Sequence, residues 1–278
     1  MSNPSLLYNT LLYGLVFFAY SALALYFWRV QLAGGGDALN QGPTGHWVVL
    51  PLALHAYLLY GNLFSSGGIN LSLIYALSLI LWLTMLVYWI ARLFYPIASL
   101  QTLILPLAAL GALLPALFPA PQPHPAEGIS FARQAHILTA MFAYSLLTIA
   151  ALHAGLMSLV ERNLHHANLP RMLQGLPPLL TMEILLFRII GAGFVLLTFT
   201  LISGMVFSEQ LFGQPWKLNH KMLFGFISWA VFAVLLLGHY LRGWRGRTAV
   251  HWTMSGFVFL ILAYLGSKFV LEVLLGPR

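Results

Sequence analysis

Long uninterrupted apolar runs, separated by short polar or Pro/Gly-bearing links, dominate the chain. Eight of them are long enough to cross a bilayer core, which takes about 20 residues. They span 6–28, 46–64, 70–91, 97–118, 132–160, 184–207, 221–241 and 249–272. A membrane strand would alternate over about 10 residues, whereas these runs are continuous. Hydrocarbon offers the backbone no hydrogen-bond partner, so each run is expected to be a helix. The predicted fold class is all-α: a polytopic membrane helix bundle forming one transmembrane domain, 1–278. The fifth run exceeds the bilayer thickness and is expected to tilt or project. Ala22-Leu23-Ala24 resembles a signal-peptide cleavage site, but nothing basic precedes the first run, which continues to Trp28. It is expected to be a retained helix. Between the fifth and sixth runs, 161–183 mixes Arg162, His165, His166 and Arg171 with leucines and Pro177-Pro178, which suits an interfacial helix. Residues 119–127, PAPQPHPAE, read as a stiff outer loop.

Composition sharpens this picture. Of 278 residues, 60% are hydrophobic and 7% charged, against about 25% charged in a soluble domain. That excludes an ordinary soluble enzyme, a disordered chain and a nucleic-acid-binding domain; the lipid bilayer is the first partner. The excess of 13 Lys and Arg over 6 Asp and Glu then records topology, because basic residues hold loops in the cytoplasm. With both termini outside, the inner segments carry Arg29, Arg92, Arg162, Arg171, Arg188, Arg242, Arg245 and Arg247, while the outer ones carry Arg133, Lys217, Lys221, Lys268 and Arg278. The absence of cysteine excludes disulfides, thiolate metal sites and covalent haem attachment to this chain.

Ten histidines against six carboxylates locate the chemistry. On this topology His55 is mid-membrane in the second helix. His136 and His153 lie toward the outer and inner ends of the fifth, and His239 near the inner end of the seventh. His46, His124, His165, His166 and His251 read as surface or interfacial residues, and His220 as an outer-mouth residue. An imidazole within the membrane needs a reason. Three compete: interhelical hydrogen bonding; a proton relay, which would want acids that no helix centre supplies; and axial ligation of haem iron by neutral imidazoles on facing helices. Gly34-Gly35-Gly36 lacks the Lys-Ser/Thr of a phosphate loop, and there is no His-Glu-x-x-His. No Ser-His-acid set can be assembled, so nothing points to a hydrolase.

The last third carries a recognisable pattern. Trp216-Lys217-Leu218-Asn219-His220-Lys221 leads into Phe226-Ile227-Ser228-Trp229, then Gly238-His239-Tyr240-Leu241-Arg242-Gly243-Trp244-Arg245-Gly246-Arg247. His136 opens a helix with Tyr144 eight residues on, and Leu52-Ala53-Leu54-His55 forms an early intramembrane histidine segment. Together they resemble the cytochrome c assembly (CcsA-type) membrane family, in its short, eight-helix, YpjD-like inner-membrane branch. The resemblance implies a multi-pass protein of the bacterial inner membrane that handles haem rather than catalysing a covalent reaction. It implies a non-covalent haem b with His55 and His239 as iron ligands, and His136 as the first of two outer histidines. The tryptophan-rich outer loop of the family is reduced to Trp216, Asn219 and His220 stand where Asp and Pro are expected, and no histidine follows the last helix. The external haem platform is therefore expected to be degenerate. Arg242, Arg245 or Arg92 could pair haem propionates at the inner surface. At about 1.5 Å per residue, His55 sits deeper than His239, so His153 competes as the partner ligand. The alternatives are a haem-free accessory or scaffold subunit of another membrane protein, and a small-solute or ion transporter suggested by Pro96, Pro106 and Pro115 in the fourth helix.

Overall fold

A computed structural model describes residues 4–33, 43–63, 72–95, 97, 100–118, 131–164, 176, 178–208 and 220–266. Among them are eight α-helices: α1 (Pro4–Leu32), α2 (Val49–Leu63), α3 (Leu73–Arg92), α4 (Gln101–Leu117), α5 (Phe131–Leu164), α6 (Leu179–Val206), α7 (His220–Arg242) and α8 (Gly246–Ile261). A 3-10 turn, Pro43–Val48, leads into α2, and a π-helical turn, Leu262–Gly266, continues α8. The described residues contain no strand. Helices α1, α3, α5, α6 and α7 are each long and apolar enough to cross a membrane, while α4 is a shorter apolar helix of 17 residues. The chain is thus a multi-pass helical membrane protein.

Each expected run contains a helix, with shifted ends. Helix α6 begins at Leu179 rather than 184 because Pro178, at its N-cap, starts the helix and Met182 already packs inward. Helix α5 runs through Leu164, so the two ends of the expected interfacial segment 161–183 belong to α5 and α6. Its middle, with His165, His166 and Arg171, lies outside the described residues, as do His124, the loop 119–127, Pro96, Trp216–Asn219 and the tail from 267.

The chain forms two compact units. The first comprises 1–128 and 163–177. Its helix α1 buries Tyr13, Val16, Tyr20, Ala24, Phe27 and Gln31, a stripe at three- and four-residue spacing. The opposite face exposes Leu11, Leu15, Phe18 and Leu25, as suits a helix with lipid on one side. The stripe packs mainly against α4, whose Ala108, Ala109, Gly111 and Ala112 are small enough for close helix approach. A Cβ at Gly111 would press on Leu81 of α3. Several polar side chains within this unit are paired. Asn62 donates to the Leu58 carbonyl at 2.7 Å and to the Tyr13 hydroxyl at 3.2 Å, and accepts from Tyr75 at 3.4 Å. Arg92 donates to Gln101, and its guanidinium fills the space a Cβ at Gly45 would need.

The second unit comprises 129–162 and 178–278. Small residues again set the approach of its helices. Gly193 of α6 meets Leu147 of α5, and Gly256 of α8 meets the fully buried Phe232 ring of α7. Ser228 donates to the Gly256 carbonyl at 2.8 Å, Tyr144 to the Leu260 carbonyl at 2.9 Å, and the Trp229 indole to Thr198 at 2.9 Å. These bonds satisfy groups that lipid would leave bare.

Candidate functional site

The intramembrane histidines fall in both units. His55, on α2 of the first unit, is fully buried. Its Nε2 lies 3.0 Å from the Ser78 hydroxyl of α3, and Tyr13 and Tyr20 of α1 meet its ring edge-on, with centroids 6.2 and 6.0 Å away. Its Nδ1 and the Tyr20 hydroxyl are buried without hydrogen-bond partners. Arg92 belongs to this unit and is engaged by Gln101.

The second unit gathers His153, His239 and Arg245 against the first turns of α6. His153, on α5, is buried, and its Nε2–H donates to the Met182 carbonyl at 2.8 Å. That bond leaves only Nδ1 with a lone pair, and this atom has no partner. His239, on α7, is half-buried and stacks on Phe187 with a centroid separation of 3.5 Å and an interplanar angle of 15°. Its Nδ1 lies 2.9 Å from the Trp244 carbonyl. A carbonyl only accepts, so Nδ1 carries a proton, and in the neutral ring the lone pair lies on Nε2. A neutral imidazole whose Nδ1–H is tied to a backbone carbonyl is the usual state of a metal-ligating histidine.

The basic loop is fastened to the same end. Arg245 approaches Glu183 of α6 at 4.0 Å, and Arg247 pairs with Glu161 of α5 at 3.0 Å. Both arginines remain largely exposed, as does Arg242. Arg242 and Arg245 therefore keep donors available to an anionic group at this end of the unit. At the far end of α5, His136 Nδ1 lies 2.8 Å from the Ser203 hydroxyl of α6, and Lys221 stands 5.0 Å above the Tyr264 ring.

Sequence reasoning did not find Phe187, Met182, Ser78, Ser203 or the Trp244 carbonyl. Two act through backbone oxygens, which no residue pattern reports. Ser78 and Ser203 are ordinary small polar residues of apolar helices, and Phe187 is one aromatic among many. The described residues hold no group of three or more His, Cys, Asp or Glu placed to share one metal ion. A porphyrin brings four nitrogens of its own and asks the protein for one or two axial ligands, so the His239 donor fits such a group.

Comparison with known proteins adds three findings. Residues 45–275 match the family described as cytochrome C assembly protein. The chain is 38% identical over 139 residues to the inner membrane protein YpjD of Escherichia coli K12, covering 50% of this chain and 52% of that protein. It is 40% identical over 86 residues to the cytochrome c biogenesis protein CcsA of Trichormus variabilis, covering 31% of this chain and 24% of that one. The chain spans about half the length of the first curated relatives it matches. No solved structure matches it.

Proposed function

The chain belongs to the cytochrome c assembly protein family, and from that membership we propose that it handles haem in the bacterial inner membrane, holding a non-covalent haem b by histidine. The observation that carries the proposal is His239, with Nδ1–H committed to the Trp244 carbonyl and Nε2 free. In this reading His239 would hold the haem iron. Phe187 would steady the imidazole by stacking on it, and Arg242 and Arg245 would pair with propionates. His55 is the ligand candidate of the first unit; its Nε2 would have to leave Ser78 to bind iron. His153, buried with its Nε2–H on Met182, is read as a tie between α5 and α6, and its unpartnered Nδ1 keeps it the rival ligand. His136 is the haem contact at the outer end. When bound, haem supplies either one-electron redox chemistry or a cargo for another protein.

Detergent-purified protein, expressed with adequate haem supply, is expected to show a Soret band and to develop sharp α and β bands with dithionite. A flat spectrum that haemin titration does not change would overturn the proposal. It would favour a haem-free accessory subunit, a second reading supported by Asn219 and His220 at the positions where the family pattern has Asp and Pro. Orientation is checked separately. Reporter fusions ending at Thr248 are expected to be cytoplasmic and those ending at Phe207 periplasmic, because Arg242, Arg245 and Arg247 hold their loop inside. The opposite pattern would reverse the assignment of inner and outer ends.

A further inference from the structure

We propose that Gly238, Gly243 and Trp244 are positioning residues that decide which nitrogen of His239 carries the proton. Helix α7 ends in a left-handed cap. The Gly243 N–H donates to the His239 carbonyl at 3.1 Å, and Gly243 has φ +65°, a conformation that a residue with a Cβ adopts only under strain. The turn sends the chain back over the end of α7. The Trp244 N–H then reaches the Gly238 carbonyl at 3.2 Å, and the Trp244 carbonyl reaches His239 Nδ1 at 2.9 Å. The Trp244 indole lies over Gly238, in the space a Cβ there would occupy, and its other neighbour is Trp252, with ring centroids 5.4 Å apart.

Each residue has a distinct part in one arrangement. Gly243 makes the reversal, and Gly238 gives the indole a place to lie. The seated indole fixes the peptide whose oxygen holds Nδ1–H. Phe187 stacks on the imidazole and sets the plane in which the ring lies. The stretch from Gly238 to Trp244 therefore specifies a histidine in a single neutral tautomer with its lone pair on Nε2. Use of that lone pair by iron rests on the haem reading; the protonation pattern does not.

The test is 15N NMR of full-length, histidine-labelled protein in detergent at pH 8, where an ordinary histidine is neutral. The His239 signals are assigned by their loss in His239→Gln. Wild type is expected to show one tautomer, protonated at Nδ1. Gly243→Asn tolerates the left-handed turn, and Trp244→Phe keeps the carbonyl and an aromatic ring to lie over Gly238; both should retain that tautomer. Gly238→Leu, which unseats the indole, and Gly243→Val, which opposes the turn, should give a mixture of the two tautomers and about tenfold weaker haemin binding. Should Gly243→Val not fold, Gly238→Leu and the milder Gly243→Ala carry the same expectation. A mixture already present in wild type, or one unchanged tautomer in folded Gly238→Leu and in folded Gly243→Val or Gly243→Ala, would overturn the proposal. If the tautomers behave as expected but wild type binds no haemin, the haem reading fails and the positioning role stands.

Discussion

Purified His239→Ala is expected to lose its reduced α band and to bind haemin at least tenfold more weakly than wild type. Removing only the group that orients a metal-bound histidine costs about 10- to 100-fold in affinity, and removing the ligand itself should cost no less. Added imidazole should restore part of the band, because the alanine leaves space where the ring stacked on Phe187. His153→Ala separates ligand from tie. With His153 a tie through Nε2–H to Met182, its loss should leave the band and cost about 0.6–2 kcal/mol of interhelical bonding. If His153→Ala removes the band and His239→Ala does not, the ligand assignment within this unit reverses. His55→Ala tests the first unit on its own terms, and its loss of the band would add that residue as a ligand.

The helices were legible because a bilayer demands length and continuity, and the chain supplies both. What the runs could not show was where lipid-like sequence bends without a polar signal. His46-Trp47-Val48 continues the second apolar run, yet Pro43–Val48 forms a 3-10 turn, with the Arg92 guanidinium packed at Gly45. Glu183 reads as a polar boundary, yet it lies inside α6, mostly buried beside Arg245. That carboxylate lies 4.0 Å from Arg245, which is 62 positions on in the sequence, and local hydropathy cannot report such an approach. The histidines were legible as the unusual feature of the chain, but not their chemical states. Those depend on the Trp244 and Met182 carbonyls and on the Ser78 and Ser203 hydroxyls, all supplied by tertiary packing. Gly238 and Gly243, flanking His239 and the start of the basic loop, were the one sequence trace of that packing.

Gly256→Leu should strongly destabilise the α7–α8 pair and should act without touching the histidines. A Cβ at Gly256 would lie 2.9 Å from Phe232 ring carbons. Real side chains do not hold that separation, and the ring is fully buried, with little room to withdraw. The same glycine's carbonyl accepts the Ser228 hydroxyl at 2.8 Å, so parting the helices also strands a polar group. Overpacking of this kind costs about 1–3 kcal/mol, and breaking the bond adds about 0.6–2 kcal/mol. Gly256→Ala should fall at the low end and Gly256→Leu at or above the top, read as lowered thermal or denaturant midpoints in detergent. Phe232→Ala alone should destabilise by about 3–5 kcal/mol through the cavity it leaves. Combined with Gly256→Leu it should cost less than the sum of the two, because the leucine fills the vacated space. Such coupling between touching residues runs to about 0.5–3 kcal/mol. Strict additivity would mean that the two side chains do not meet, and that the close approach of α7 and α8 is not what Gly256 provides.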